Sequence, residues 1–209
     1  MAYNRFPITN VEGDLVAQHR DPDEKLYASL ELNQVAFPKT GMVVSQTPLG
    51  TAFTKAAPCE NGMWVVADKA AGAINPPAAA TDAPIGIVYT TEKEYDDMHY
   101  GLQRFGRKIA GDYPRVGILG VGDTVTTNCL QYSTAVFANE AALIAALNDI
   151  ENNALYVVPG NASDASASSA KAVPAIVKAA PDSGIYGKIV KFYTVPNGGL
   201  GVKYQIVRL

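Results

Sequence analysis

The chain is short of the residues that most often carry catalysis. It holds two histidines, two cysteines and one tryptophan in 209 residues. A Ser-His-Asp or Cys-His arrangement would have to use His19 or His99, neither stands in a nucleophile motif, and no Gly-x-Ser-x-Gly elbow occurs. Carboxylate-only catalysis needs a paired Asp or Glu, and the sequence offers no pair to name. Cys59 and Cys129 lie 70 positions apart and belong to no closely spaced metal or redox motif, so they read as buried, reduced thiols. Charge is scarce too, at 18% of residues, with 17 basic and 20 acidic side chains for a net of −3. No basic block stands out, which removes the electrostatic footprint of a nucleic-acid binder. No apolar run approaches the roughly 18 residues of a membrane span. The opening Met1-Ala2-Tyr3-Asn4-Arg5-Phe6-Pro7 lacks the apolar core of a secretion signal. The expectation is a soluble protein made in the cytoplasm, with neither nucleic acid nor membrane as partner.

What the chain does have is short β-prone runs set between glycines and prolines. They fall at 42–46, 63–67, 84–89, 116–127, 155–158 and 173–177, each beside a turn signal. Two longer runs, 188–195 and 202–208, flank Pro196-Asn197-Gly198-Gly199-Leu200-Gly201 and predict a hairpin. In the second of these, polar Lys203 and Gln205 alternate with apolar Tyr204 and Ile206, the pattern of a strand with one face buried. Residues 26–32 are ambiguous between a short helix and a strand. Adjacent Pro76 and Pro77 remove backbone donors and predict a surface loop over 70–82. Over 139–150, Asn139 is an N-cap residue and Glu140 a first-turn carboxylate, while Leu143, Leu147 and Ile150 share one face beside Ile144; this is the one clear helix. Residues 161–170, rich in Ser and Ala, predict a low-complexity loop.

The expected fold is mainly β, a β-barrel or sandwich with one short helix and an extended N-terminal arm over the polar residues 1–25. A β-rich domain would occupy 26–135. The helix and C-terminal hairpin, 136–209, would follow, either apart or completing the same β-domain.

Three constellations invite a functional reading. Gly117-Ile118-Leu119-Gly120-Val121-Gly122 looks superficially like a phosphate-binding loop. A phosphate cradle needs a helix N-terminus after the loop, whereas Asp123-Thr124-Val125-Thr126-Thr127 is strand-prone, so these glycines read as bends or bulges of a curved sheet. Glu92, Glu94, Asp96, Asp97 and His99 supply ligand chemistry for a cation. They lack the central glycine and closing glutamate of a calcium loop, and read as a solvated acidic stretch that Arg104, Arg107 and Lys108 could neutralise. Tyr89, Tyr95, Tyr100 and Tyr113 surround that stretch and fit either an interface or a mixture of core and surface rings. Trp64, inside a β-run, reads as core. No cofactor or metal site is expected.

Four segments together resemble small structural proteins of tailed-phage virions, most of all the head decoration, or capsid cement, proteins. They are Gly62-Met63-Trp64-Val65-Val66-Ala67-Asp68-Lys69, Ala83-Pro84-Ile85-Gly86-Ile87-Val88-Tyr89-Thr90, Tyr113-Pro114-Arg115-Val116-Gly117 and Val121-Gly122-Asp123-Thr124-Val125-Thr126-Thr127-Asn128. The resemblance spans about 60–130 and rests on strands and turns rather than a diagnostic residue; the helix and the Ser/Ala-rich loop have no counterpart in it. It implies a non-enzymatic β-rich protein, often trimeric, clamped over joints between major capsid protein subunits on the capsid surface of the virion. It also implies an N-terminal arm along the shell, whose apolar anchors would be Pro7, Ile8, Val11, Leu15 and Val16. A tail or head-fibre component is the neighbouring alternative, though it would more often show a fibrous repeat or coiled coil. A carbohydrate-binding or hydrolytic β-domain is the alternative from another class, marked by aromatics in a groove beside a carboxylate pair.

Overall fold

Strand-forming residues must pair, and the computed structural model gives the pairing for residues 3–5, 30–33, 43–67, 72–78, 85–89, 109–160, 171–194 and 200–208. In chain order the strands are β1 (Tyr3–Arg5), β2 (Leu30–Asn33), β3 (Val43–Val44), β4 (Trp64–Val66), β5 (Ile85–Val88), β6 (Val116–Ile118), β7 (Thr124–Thr127) and β8 (Gln131–Ser133). Helix α1 (Glu140–Asn148) follows, then β9 (Tyr156–Val158), β10 (Ala175–Val177), β11 (Tyr186–Thr194) and β12 (Leu200–Arg208). The larger sheet runs β1-β8-β10-β9-β11-β12-β7-β2, with six strands in the middle and the short β1 and β2 at its two edges; the smaller runs β3-β6-β5-β4. Every neighbour is antiparallel except β8 with β10. The architecture is mainly β and sandwich-like, and the described strands close no barrel.

The alternation expected of 202–208 extends across the large sheet. On one face Val125, Tyr204 and Ile189 stand in register and are buried. On the other, Thr124, Gln205, Lys188 and Tyr156 form the adjacent row. The apolar face packs on Trp64, Ile85 and Ile87 of the small sheet and on Leu143 and Leu147 of α1, one continuous core.

Strands β5 and β6 and most of β4 are buried on both sides and read as continuous apolar runs instead of alternating ones, while Val43 of β3 is exposed. Trp64 enters the core shared with the large sheet, while its neighbour Val65 enters a second core with Phe53, Cys59, Ile74 and Cys129. Helix α1 begins as its sequence predicts: the Asn139 side chain accepts a hydrogen bond from the Ala142 amide at 2.9 Å.

The structure corrects some expectations and fills in points the sequence left open. The run 116–127 is two strands in different sheets, because the chain turns at 119–123 and crosses from β6 to β7. Gly122 takes φ +95° in that turn, a conformation that side chains with a Cβ avoid. The described part of the 70–82 loop is not simply surface: Ile74 is fully buried, and bridges join Leu49 to Ile74 and Val66 to Asn75. The ambiguous 26–32 region contributes a strand, β2, paired with β7. The hairpin β11–β12 pairs with β9 and β7 in the large sheet. Residues on either side of 130–140 share one sheet and one core. At the N-terminus, β1 is an edge strand on β8.

Candidate interaction surface

The sites read from sequence meet three different ends. Pro7, Ile8, Val11, Leu15 and Val16 lie outside the described residues, as do the acidic stretch 92–99, both histidines, Tyr95 and Tyr100. The glycine-rich segment is a closed turn. The Gly120 amide donates to Asp123 Oδ2 at 2.7 Å, and the Gly122 amide donates to the Ile206 carbonyl at 2.8 Å. Both amides are therefore engaged, and β7 follows where a phosphate cradle would need a helix to begin. Trp64 is fully buried, with its Nε1 donating to the Tyr204 hydroxyl oxygen at 3.0 Å.

Asp112 and Asp149 serve turns. Asp112 Oδ2 accepts from the Ile109 amide at 2.8 Å, and the Asp149 carboxylate accepts from the side-chain amides of Asn152 and Asn153 just past α1. Cys59 and Cys129 are both free and buried. Burial pushes the Cys59 thiol well above the ordinary range, and the nearby Cys129 and Glu60 push the same way, so it is held as the unreactive neutral thiol. Among the described residues no three of His, Cys, Asp and Glu gather as a metal site, and no helix is long and apolar enough to cross a membrane.

The feature with recognition chemistry is the outer face of the large sheet at β9, β11 and β12. The hairpin carries Lys188, Lys191, Lys203 and Arg208 and no acidic residue. Its register sets Lys191 opposite Lys203 and, on the same face, Lys188 opposite Gln205 and Tyr156. Tyr156 meets Tyr186 edge to face at 5.8 Å, and the Arg208 guanidinium lies over the Tyr186 ring at 5.7 Å. Lys191 lies over Tyr193 at 5.3 Å, while the Tyr193 hydroxyl bonds Thr126 Oγ1 at 2.7 Å and ties the face to β7. Val190 and Val207, at the two interruptions of the β11–β12 ladder, are exposed. Tyr, Arg and exposed apolar side chains in one patch match the composition of protein interfaces. Tyr113 is exposed on the connection before β6.

The sequence marks the hairpin as a contact element, but only antiparallel pairing sets the cations of its two arms side by side on one face. The available signal was the absence of acid from both arms of the predicted hairpin. The chain matches no known family model, no curated protein and no solved structure.

Proposed function

We propose that this chain is a non-enzymatic structural protein of a tailed-phage virion, a capsid decoration module that self-associates, as a trimer, and binds the major capsid protein shell. One observation carries the reading: a two-sheet body whose small sheet contributes to two cores presents a sheet face of Tyr, Arg, Lys and exposed Val on β9, β11 and β12. The resemblance over 60–130 gives that surface its partner. A cement protein adds binding energy across shell joints, and a rigid body with an arm that orders on the partner does so without any reacting group.

Co-sedimentation with empty shells of the major capsid protein tests the reading. The full chain is expected to pellet with shells at saturable occupancy; failure to pellet refutes it. Removing residues 1–25 is expected to abolish binding and leave a folded body, with fluorescence of the single tryptophan as the check on folding. Because that deletion also strips β1 from the edge of β8, replacing Ile8, Val11 and Leu15 by Asp is the companion variant. Wild-type occupancy in both variants removes the arm from the mechanism.

A further inference from the structure

We propose that the cationic outer face of the β11–β12 hairpin is a docking surface for a second copy of this chain, whose acidic segment 92–97 is the counter-charge. The contact deepens the self-association in the proposed function and rests on it. Four of the chain's 17 basic residues sit on this hairpin; the remainder holds 13 basic against 20 acidic residues, a net charge of −7. Along the sequence, a hairpin with only basic charge is therefore set in an otherwise acidic chain.

That face places like charges together. Lys191 and Lys203 are directly opposite in the ladder, a pairing that like charges disfavour. Among the described residues none of the four cations is in an ion pair, and Lys191 and Arg208 lean on Tyr rings instead. An acidic partner would relieve the repulsion while covering Val190 and Val207. The densest acid in the chain is 92–97, with Glu92, Glu94, Asp96 and Asp97 against the single Lys93. A protein partner is favoured over nucleic acid because the whole chain is net negative and repels a polyanion at long range. A basic face on one copy meeting an acidic segment on the next is a head-to-tail contact. Such contacts close into rings where the rotation permits, in keeping with a trimer.

Solution mass by light scattering on the full chain tests the contact. Wild type is expected to be oligomeric, its dissociation constant rising about tenfold or more between about 0.1 M and about 1 M salt, as the Debye length falls from about 10 Å to about 3 Å. The K191E/K203E variant is expected to dissociate at least about tenfold more readily with Trp64 fluorescence unchanged, and adding E94K and D96K to it should restore the wild-type mass. A wild type monomeric at all salt concentrations overturns both the contact and the self-association. An oligomer unaffected by K191E/K203E overturns the contact alone. Failure of the added E94K and D96K to restore mass overturns 92–97 as the counter-charge. Single-stranded DNA retained by wild type and lost in K191E/K203E, with mass unchanged, makes the face a nucleic-acid site and refutes the proposal.

Discussion

Replacing Tyr204 by Phe removes one oxygen atom from the centre of the main core. Trp64 Nε1 donates to that oxygen at 3.0 Å, both side chains are fully buried, and their rings meet edge to face at 5.9 Å and 64°. Phe keeps the ring and its packing, so the loss is confined to the hydrogen bond and the buried indole N–H left without an acceptor. That costs about 1–3 kcal/mol. Alkaline pH supplies a second, independent signature. Burial pushes the Tyr204 phenol far above its ordinary range; the Trp64 N–H pulls the other way and Cys129 adds to the rise. Since the folded pKa is raised, the stability linked to this group is fully present below the unfolded pKa near 10 and is lost as pH climbs above it, where only the unfolded chain releases the proton. By pH 11 the loss in wild type is about 1.4 kcal/mol, and Tyr204→Phe cannot suffer it. The stability gap between the two proteins should therefore narrow by about that amount between about pH 8 and pH 11. Urea unfolding followed by the fluorescence of Trp64, the single tryptophan, reads both effects. The slope with denaturant should be unchanged, because the fold is kept. Equal stability of the two proteins near neutral pH, or a gap that does not move with pH, would refute the reasoning.

Gly62 takes φ +92°, and a Cβ there would fall 2.6 Å from Cys129 Cβ and 2.8 Å from Thr127 Oγ1. Gly62→Ala is expected to lose about 2–4 kcal/mol in the same urea assay, from backbone strain plus overpacking; a loss under about 0.5 kcal/mol contradicts the contact. Both thiols should resist Ellman's reagent in native buffer at mildly alkaline pH and react fully once unfolded, since burial and the raised Cys59 pKa withhold the thiolate. Rapid native labelling of either cysteine contradicts the packing of the second core.

The strands at 64–66, 85–88, 186–194 and 200–208 were legible because β-branched and aromatic residues sit beside strong turn signals. The start of α1 was legible because capping is local chemistry between Asn139 and the amide three residues on. Strand β8 was not. Its residues Gln131, Tyr132 and Ser133 carry no apolar run, and it pairs with β10, while Gln131 Nε2 donates to the Val173 carbonyl just before that strand at 2.7 Å. The crossing at 119–123 was hidden for a related reason. Gly117 to Gly122 announced a bend, but not that the chain leaves one sheet there and enters the other.

The sequence by itself determined what depends on near neighbours: a mainly β chain, the hairpin alternation, the helix cap and the glycine turn. Tertiary structure alone decided which strands share a sheet, that β5 and β6 are covered on both faces, and that Lys188, Lys191, Lys203 and Arg208 converge beside Tyr156 and Tyr186. The physical reason is that side-chain period is written in adjacent residues, whereas register is chosen by total burial across strands far apart in the chain.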